Sequence, residues 1–407
     1  MAENKEKKVL NVPNLRFPEF EGEWKKCRFK DVVRLFRGSS PRPIIEYLTT
    51  DNEEGVNWVK IGDVPTSGRI ITSTEEKITK EGAKKSRHVY VGDLILSNSM
   101  SYGLPYIMGI EGCIHDGWFV LRDYEQNFNK DYLCNLLISD IVQKQYKKIA
   151  AGGVVQNISS DLVNSVYISI PSLDEQRKIA GLLSLIDERI ATQNKIIEDL
   201  KKLKCAISKY LFERKDLFEN KIKLSKVAEL KNGYAFQSSK YNALGKWKIL
   251  TIANVAGERY VKTNECNCII EIPYDIQKHQ KLEANDILIS LTGNVGRVSL
   301  CTEGLFLLNQ RVGLLQLKVS EDREYIYQAL SYHKFENSMI ACAQGAAQMN
   351  IGKGDVENYI LPYSFNRKNI NVVASVLRAY DKYIINETNL QSILHIQKQY
   401  LLRQMFI

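Results

Sequence analysis

Ile170-Pro171-Ser172-Leu173-Asp174-Glu175-Gln176-Arg177-Lys178-Ile179-Ala180 marks the point where the chain changes its hydrophobic period. Ahead of Pro171, Ser165-Val166-Tyr167-Ile168-Ser169-Ile170 is rich in β-forming residues and reads as a strand. Behind it, Ile179, Leu183, Ile186, Ile190, Ile197, Leu200, Ile207 and Leu211 fall at steps of three, four or seven, which is the seam of an amphipathic helix that packs against another helix. The partner is legible further on. Leu182-Leu183-Ser184-Leu185-Ile186-Asp187 returns as Val376-Leu377-Arg378-Ala379-Tyr380-Asp381, 194 residues later, and the same shift carries Ile190 onto Ile384, Leu200 onto Leu394, Lys209 onto Arg403 and Leu211-Phe212 onto Met405-Phe406. Upstream, Val91-Gly92-Asp93-Leu94-Ile95-Leu96-Ser97 answers to Ala284-Asn285-Asp286-Ile287-Leu288-Ile289-Ser290, and Ile61-Gly62-Asp63-Val64 to Ile252-Ala253-Asn254-Val255. A looser match pairs Gly153–Ile158 with Gly345–Ile351, each followed by a strand-like run that ends in proline, Pro171 or Pro362. The chain therefore reads as two diverged copies, roughly residues 24–212 and 218–406.

Each copy is a mixed region of short strands and turns, then a long helix. Helices do not alternate regularly with strands, so the expected class is α+β with mixed or antiparallel sheets. The expected division is an N-terminal arm (1–23), a first mixed domain (24–170), a central helix (171–217), a second mixed domain (218–362) and a C-terminal helix (363–407). About 40 residues of helix make a rod of ~60 Å, longer than one ~34 Å turn of DNA and long enough to hold two domains apart.

With 407 residues, 44% hydrophobic and 25% charged, the composition is that of a globular chain. No apolar stretch approaches a membrane span, and the charged opening Met1-Ala2-Glu3-Asn4-Lys5-Glu6-Lys7-Lys8 lacks the apolar core of a signal peptide, so a cytoplasmic location is expected. The eight cysteines are scattered, and their one close pair, Cys266-Asn267-Cys268, has no second pair at a zinc-ligand spacing. A formal charge of +9 favours a polyanionic partner.

Catalytic signatures are missing. Where a phosphate loop would need glycine and a hydroxyl around Gly352-Lys353, the chain has Ala347 and Gly354. There is no Gly-x-Gly-x-x-Gly after a strand, no Pro-Pro of the kind amino-methyltransferases use around a flipped base, no His-Glu-x-x-His and no Gly-x-Ser-x-Gly. A standalone DNA-modifying enzyme would need a site of unfamiliar form. A coiled-coil protein scaffold is the other alternative.

The mixed regions instead carry paired loops of Gly, Ser, Asn and Gln beside basic and aromatic residues. In copy one these contribute Arg37, Ser39, Ser40 and Arg42; Ser97, Asn98, Ser99 and Tyr102; and Gly152, Gly153, Gln156 and Asn157. In copy two they contribute Lys231, Asn232, Tyr234, Phe236, Gln237 and Ser238; Thr292, Asn294 and Arg297; and Gly345, Gln348 and Asn350. Glycine lets backbone N–H groups approach phosphates, while amides, hydroxyls and guanidinium groups match the donors and acceptors of base edges. Six such loops at matched positions point to a double-stranded DNA-binding face. Lys60, Lys84, Lys85, Arg87 and Lys248 are candidate phosphate contacts.

Three stretches carry a family resemblance: Val12-Pro13-Asn14-Leu15-Arg16-Phe17-Pro18-Glu19-Phe20 leading into Trp24, Asn232-Gly233-Tyr234-Ala235-Phe236-Gln237-Ser238, and the Ile170–Ala180 helix start with its following Leu182-Leu183-x-x-Ile186-Asp187. Over nearly its whole length the chain resembles the specificity (S) subunits of type I restriction-modification systems. The resemblance implies two target recognition domains, each reading one half of an asymmetric bipartite DNA site. It implies two antiparallel helices that fix the half-site spacing and dock two methyltransferase (M) subunits, with Glu175, Gln176, Ile179, Leu183, Asp187 and Asp381 as contacts. It implies a non-catalytic chain that binds no cofactor and no metal: S-adenosylmethionine belongs to the adenine-methylating M subunits, ATP and Mg2+ to two restriction (R) subunits. One departure stands out. Asn369-Ile370 occupies the place of Glu175-Gln176 in the second helix start, and three residues are expected to be lost between proline and helix.

Overall fold

The computed structural model describes residues 10–51, 53–65, 68–99, 103–150, 158–344 and 349–407. These form two compact units, one of residues up to Thr192 together with Gln391–Ile407, the other of Gln193–Leu390. The units cut across the expected boundaries at 171 and 363, because each unit takes part of both long helices into its core.

In the first unit the order is β1 (Lys25–Arg28), β2 (Arg34–Arg37), β3 (Leu48–Thr49), β4 (Val56–Val59), β5 (Ile70–Ile71), β6 (Glu76–Ile78), α1 (Lys80–Lys84), β7 (Arg87–Val89), β8 (Leu94–Ser97), β9 (Pro105–Met108), β10 (Gly112–Ile114), β11 (Trp118–Arg122), α2 (Lys130–Ile138), α3 (Asp140–Ala150), α4 (Ser160–Ser165), β12 (Tyr167–Ile170) and the start of α5 (Leu173–Phe212). Two five-stranded sheets have the orders β3-β6-β4-β10-β7 and β2-β11-β8-β9-β5, with β4 parallel to β10 and β5 parallel to β9. The period of two along β8 and β11 sorts side chains into two layers. Ile95, Trp118 and Val120 pack with Val59, Val89 and Ile114 between the sheets. Leu94, Leu96, Phe119 and Leu121 face the helices. There Ile179, Leu183, Ile186 and Ile190 of α5 join Leu394, Leu401, Leu402, Met405 and Phe406, with Phe406 stacked on Tyr132 at 5.2 Å between centroids.

The second unit repeats this plan through β13 (Asn220–Lys223), β14 (Ala228–Asn232), β15 (Trp247–Leu250), β16 (Asn267–Ile269), β17 (Lys281–Leu282), β18 (Ile287–Ser290), β19 (Val298–Leu300), β20 (Phe306–Leu308), β21 (Val312–Leu317), α6 (Arg323–Ser331), α7 (His333–Ala343), α8 (Lys353–Glu357), β22 (Ile360–Tyr363) and α9 (Arg367–Gln404). Its sheets are β14-β21-β18-β19 and β16-β15-β20-β17, with β15 parallel to β20 as β4 is to β10. The layers alternate in the same register. Ile287 and Ile289 face the helices and Leu288 the other sheet. Ile370, Val373, Ala374 and Leu377 of α9 meet Leu211 and Phe212 of α5 in this core.

The duplication holds at the level of single hydrogen bonds. Gly92 N donates to Met108 O at 2.7 Å and Asn285 N to Cys301 O at 2.9 Å, both residues at positive φ where glycine or asparagine is favoured. Ile158 N donates to Asn98 O and Ile351 N to Leu291 O, each at 2.9 Å.

The helix starts differ, and the expected loss of three residues is instead a gain of three in the second copy: α5 begins two residues after Pro171, α9 five after Pro362. In the first unit Gln176 accepts from Asn129 N at 2.9 Å and donates to the carbonyls of Asn127 and Pro171, tying α5 to the N-cap of α2. In the second, buried Asp322 at the N-terminus of α6 takes over, accepting from Tyr363 Oη at 2.7 Å and pairing with Arg367, the first residue of α9. The longer connection accompanies that exchange of an amide for an ion pair.

Candidate nucleic-acid interface

In the first unit the three-residue turn His115-Asp116-Gly117 joins β10 to β11. The chain passes it so closely at Gly38 that a Cβ there would lie 2.0 Å from His115 O, which is why glycine follows β2. Gly38 N donates to Trp118 O at 2.8 Å; on the turn's other side Asn98 N donates to Gly117 O at 2.9 Å and Asn98 Nδ2 to Asp116 O at 2.8 Å. The turn thus sits between the Arg37–Arg42 and Ser97–Ser99 loops.

Side chains converge on it. Arg37 Nε donates to Asp116 O at 3.2 Å, Ser40 Oγ to Asp116 Oδ1 at 2.8 Å, and exposed Arg42 stands 3.8 Å from Asp116 Oδ2. The Ser40 hydroxyl holds the Asp116 carboxyl below its ordinary pKa, while burial holds the His115 imidazole below its own. The basic segment after α1 docks alongside: Ser39 Oγ donates to Lys85 O at 3.2 Å and Ser86 Oγ to Ser39 O at 2.8 Å. The Lys85 ammonium lies 4.6 Å from the Tyr47 ring centroid and the Arg87 guanidinium 5.5 Å from that of Phe36. Arg37, Arg42, Lys84, Lys85 and Arg87 are all exposed.

The second unit builds the same arrangement around Asn309-Gln310-Arg311, between β20 and β21. A Cβ on Gly233 would lie 2.1 Å from Asn309 O. Tyr234 N donates to Leu308 O at 2.8 Å, Gln310 N to Tyr234 O at 2.9 Å and Leu291 N to Arg311 O at 3.0 Å. Thr292 bridges to Asn350, bringing the third loop to the same place. The Tyr234 and Phe236 rings lie 4.9 Å apart, and Tyr234 Oη donates to Asp275 at 2.9 Å. Asn232, Gln237, Ser238, Asn294, Gln310, Arg311 and Asn350 are exposed. Lys231, Lys278, Lys281 and Arg323 line one cleft beside this face.

Several expected contacts are turned to other work. Ser97 is buried and braces the β8–β9 hairpin, its Oγ accepting from Leu104 N at 3.0 Å, as Ser290 Oγ accepts from Arg297 N at 3.0 Å. Asn98 is buried under the turn it supports. Lys60 pairs with Glu76 at 2.8 Å, Lys231 with Glu229 at 2.9 Å and Arg297 with Glu336 at 3.4 Å; Lys248 Nζ donates to Thr263 O at 3.4 Å. Thr292 is half-buried, its hydroxyl without a partner among the described residues. Tyr102, Gly152, Gly153, Gln156, Asn157, Gly345 and Gln348 lie outside the described residues.

Of the expected M-subunit contacts, Glu175, Gln176, Ile179, Leu183 and Asp381 are buried within this chain and only Asp187 is partly exposed. Glu175 is 1% exposed and accepts a two-pronged pair from Arg16 at 2.8 Å plus Trp24 Nε1 at 3.2 Å, so it anchors the N-terminal segment. Gln176, Ile179 and Leu183 are interior. Asp187 and Asp381 form a repeated clamp. Asp187 pairs with Lys398, with Arg69 3.9 Å away and held by Asn135 at 2.7 Å. Asp381 pairs with Lys204 at 2.6 Å and accepts from Arg259 at 2.9 Å and Gln328 at 2.6 Å, Arg259 in turn holding Glu324 through two bonds. Lys204 and Lys398 are themselves 194 residues apart. The helices' outward apolar side chains are others: Leu185, Ile393, Ile396 and Tyr400 in the first unit, Tyr210, Val372 and Tyr383 in the second. Tyr400 has the spacing of the α9 seam yet is exposed, whereas the others lie off the seam, where hydrophobic periodicity does not mark them.

Compared with known proteins, residues 21–202 and 218–395 each match the model of the type I restriction modification DNA specificity domain. The type I restriction enzyme MjaVIII specificity subunit of Methanocaldococcus jannaschii is 24% identical over 396 residues, covering 88% of this chain and 85% of its own. The EcoKI specificity subunit of Escherichia coli K12 is 24% identical over 395 residues, covering 86% and 83%. In fold, the chain superposes on the S subunit of a type I restriction-modification system from M. genitalium with a TM-score of 0.55 at 15% identity, covering 97% of this chain and 99% of that one.

Proposed function

Because the chain belongs to the type I restriction-modification DNA specificity family, whose domain it carries twice, we propose that its two units read the two halves of one asymmetric, bipartite double-stranded DNA site. That it supplies sequence specificity to a restriction-modification complex follows from the family. The observation that carries the finer reading is the repeated turn: each unit draws its candidate loops around one short connection at the end of a buried strand pair, with exposed cations beside it. Strand-end loops on a rigid scaffold hold side chains steadily enough to discriminate bases.

Chemistry is assigned to partners. Two M subunits binding S-adenosylmethionine would methylate adenine, and two R subunits using ATP and Mg2+ would translocate and cut. Among the described residues no group of three His, Cys, Asp or Glu side chains is placed to hold a metal. The helix pair is the proposed ruler between half-sites and the dock for M subunits, through outward residues such as Leu185, Tyr383, Ile393 and Ile396 rather than the buried Glu175 and Gln176. No helix among the described residues is long and apolar enough to cross a membrane, and the complex is placed in the cytoplasm, with its DNA. Methylome sequencing of cells expressing this chain with its M partner tests the reading. One bipartite motif is expected; methylation scattered without a motif refutes it.

A further inference from the structure

The two central turns, equivalent in backbone, present opposite chemistry. Trp118 N donates to His115 O at 3.1 Å and Val312 N to Asn309 O at 2.9 Å, so His115-Asp116-Gly117 and Asn309-Gln310-Arg311 correspond residue for residue at the 194 shift. The first offers a carboxylate and the second an amide and a guanidinium. Asp116 is not simply neutralised. Ser40 holds Oδ1 at 2.8 Å, whereas the nearest cation to Oδ2 is Arg42 at 3.8 Å, beyond hydrogen-bond reach, leaving that oxygen open among the described residues. A carboxylate on a face that approaches phosphates weakens binding to every sequence. It repays that cost only by accepting from a base amino group. The Ser40 bond, with Arg37 nearby, keeps it ionised, and Arg37 holds its backbone carbonyl in place. Exposed Arg311 has no side-chain partner among the described residues, while its backbone is pinned between two loops through its own carbonyl and through Gln310 N.

Resting on the DNA-reading function above, we propose that these turns are the specificity-determining elements: Asp116 accepts from the N4 amino group of a cytosine in one half-site, and Arg311 donates to O6 and N7 of a guanine in the other. A carboxylate has no donor for the N7 acceptor of adenine, which selects cytosine; a guanidinium fork matches guanine's two acceptors. Each half-site then contains one fixed G·C pair.

The test uses the full chain assembled with its M partner. Asp116→Asn keeps the acceptor that Ser40 needs and adds an amide that pairs with adenine, so one position of one half-site should come to admit adenine while the other half-site is unchanged. Arg311→Gln should relax one guanine in the opposite half-site. For a variant that gives no methylation, binding of the purified complex decides: about 10- to 100-fold weaker binding to the wild-type site with unchanged binding to unrelated duplex supports the assignment, and equal losses on both overturn it. Unchanged motifs, both changes falling in one half-site, or a wild-type half-site without a fixed G·C pair would also overturn it. If the wild-type complex shows no bipartite motif at all, the functional reading fails instead.

Discussion

Replacing Asp381 by alanine should damage the second unit far more than the equivalent Asp187→Ala damages the first. Both aspartates occupy one position of the repeat and meet an arginine and a lysine, but Asp381 also accepts directly from Gln328 of α6, whereas Asn135 of α2 reaches Asp187 only through Arg69. The Asp381 and Arg259 side chains are each 7% exposed and bond at 2.9 Å, whereas Asp187 is 43% exposed and stands 3.9 Å from Arg69. Stripping a buried cation of its buried partner costs about 3–5 kcal/mol, whereas losing a pair whose carboxylate is half in water, as Asp187 is, costs about 1 kcal/mol. Glu324 stays on Arg259 after the substitution, which places the loss near the lower bound, about 3 kcal/mol. At ~1.4 kcal/mol per tenfold, amide exchange in α6, which carries Glu324 and Gln328, should accelerate about 100-fold in Asp381→Ala. Exchange in α2, which carries Asn135, should rise about fivefold in Asp187→Ala. Hydrogen exchange read by mass spectrometry resolves the two helices separately, which a global melt of a two-unit chain does not. Raising salt to about 1 M should shrink the Asp187 effect and leave the Asp381 effect. Pairing Arg259→Met with Asp381→Leu should recover part of the loss, since apolar packing replaces a buried ion pair at little cost. Equal acceleration in the two single variants would refute the burial argument.

Glu175→Gln should loosen the N-terminal segment by about 2 kcal/mol, since charged hydrogen bonds to Arg16 weaken; limited proteolysis between residues 10 and 24 reports it. Gly38→Ala and Gly233→Ala should each displace the turn it abuts, because a Cβ at 2.0 or 2.1 Å from a carbonyl oxygen cannot be accommodated, and methylome sequencing should show blurred discrimination in one half-site with the other intact. Lys85→Ala should weaken DNA binding on all sequences alike and lower the salt slope by about one, as removal of one phosphate contact does; a changed target sequence would contradict that role. Burial holds the His115 pKa below 6.5, so its contribution to the first unit's stability is full above pH 6.5 and declines as pH falls below that value towards the folded pKa. His115→Phe should flatten that part of the stability–pH curve.

Much of this architecture was legible because it is repeated. Two copies give each weak signal a second reading: a shift of 194 residues relates the helix seams, and one of 193 relates the Gly92/Asn285 turns and the Ile158/Ile351 returns. The change of period at Pro171 marks the helix segment from 171, two residues ahead of its first residue, Leu173. Burial was harder to foresee. Glu175 and Gln176 look like surface residues because charged and amide side chains are usually exposed, and only the tertiary partners Arg16, Trp24 and Asn129 show them inside. Ser97 and Asn98 sit in a loop of polar composition yet satisfy backbone groups that would otherwise be buried unpaired. The turns at 115–117 and 309–311 escaped notice for the opposite reason. They are three residues long, share no residue type, and acquire meaning only from the loops that fold around them.

The first unit is closed by residues from far along the chain: Leu394, Leu401, Leu402, Met405 and Phe406 complete a core that otherwise ends at Ile190. On the ribosome this imposes a delay. Some 200 residues separate Thr192 from that closing segment, and at about 5–20 residues per second the first unit waits roughly 10–40 s for it. During that interval the apolar seam of α5 packs on its own domain but lacks its α9 side, so the nascent chain exposes apolar surface until the last residues are made. A premature stop near residue 390 would remove the end of one helix in sequence and open the core of the other end's domain in space.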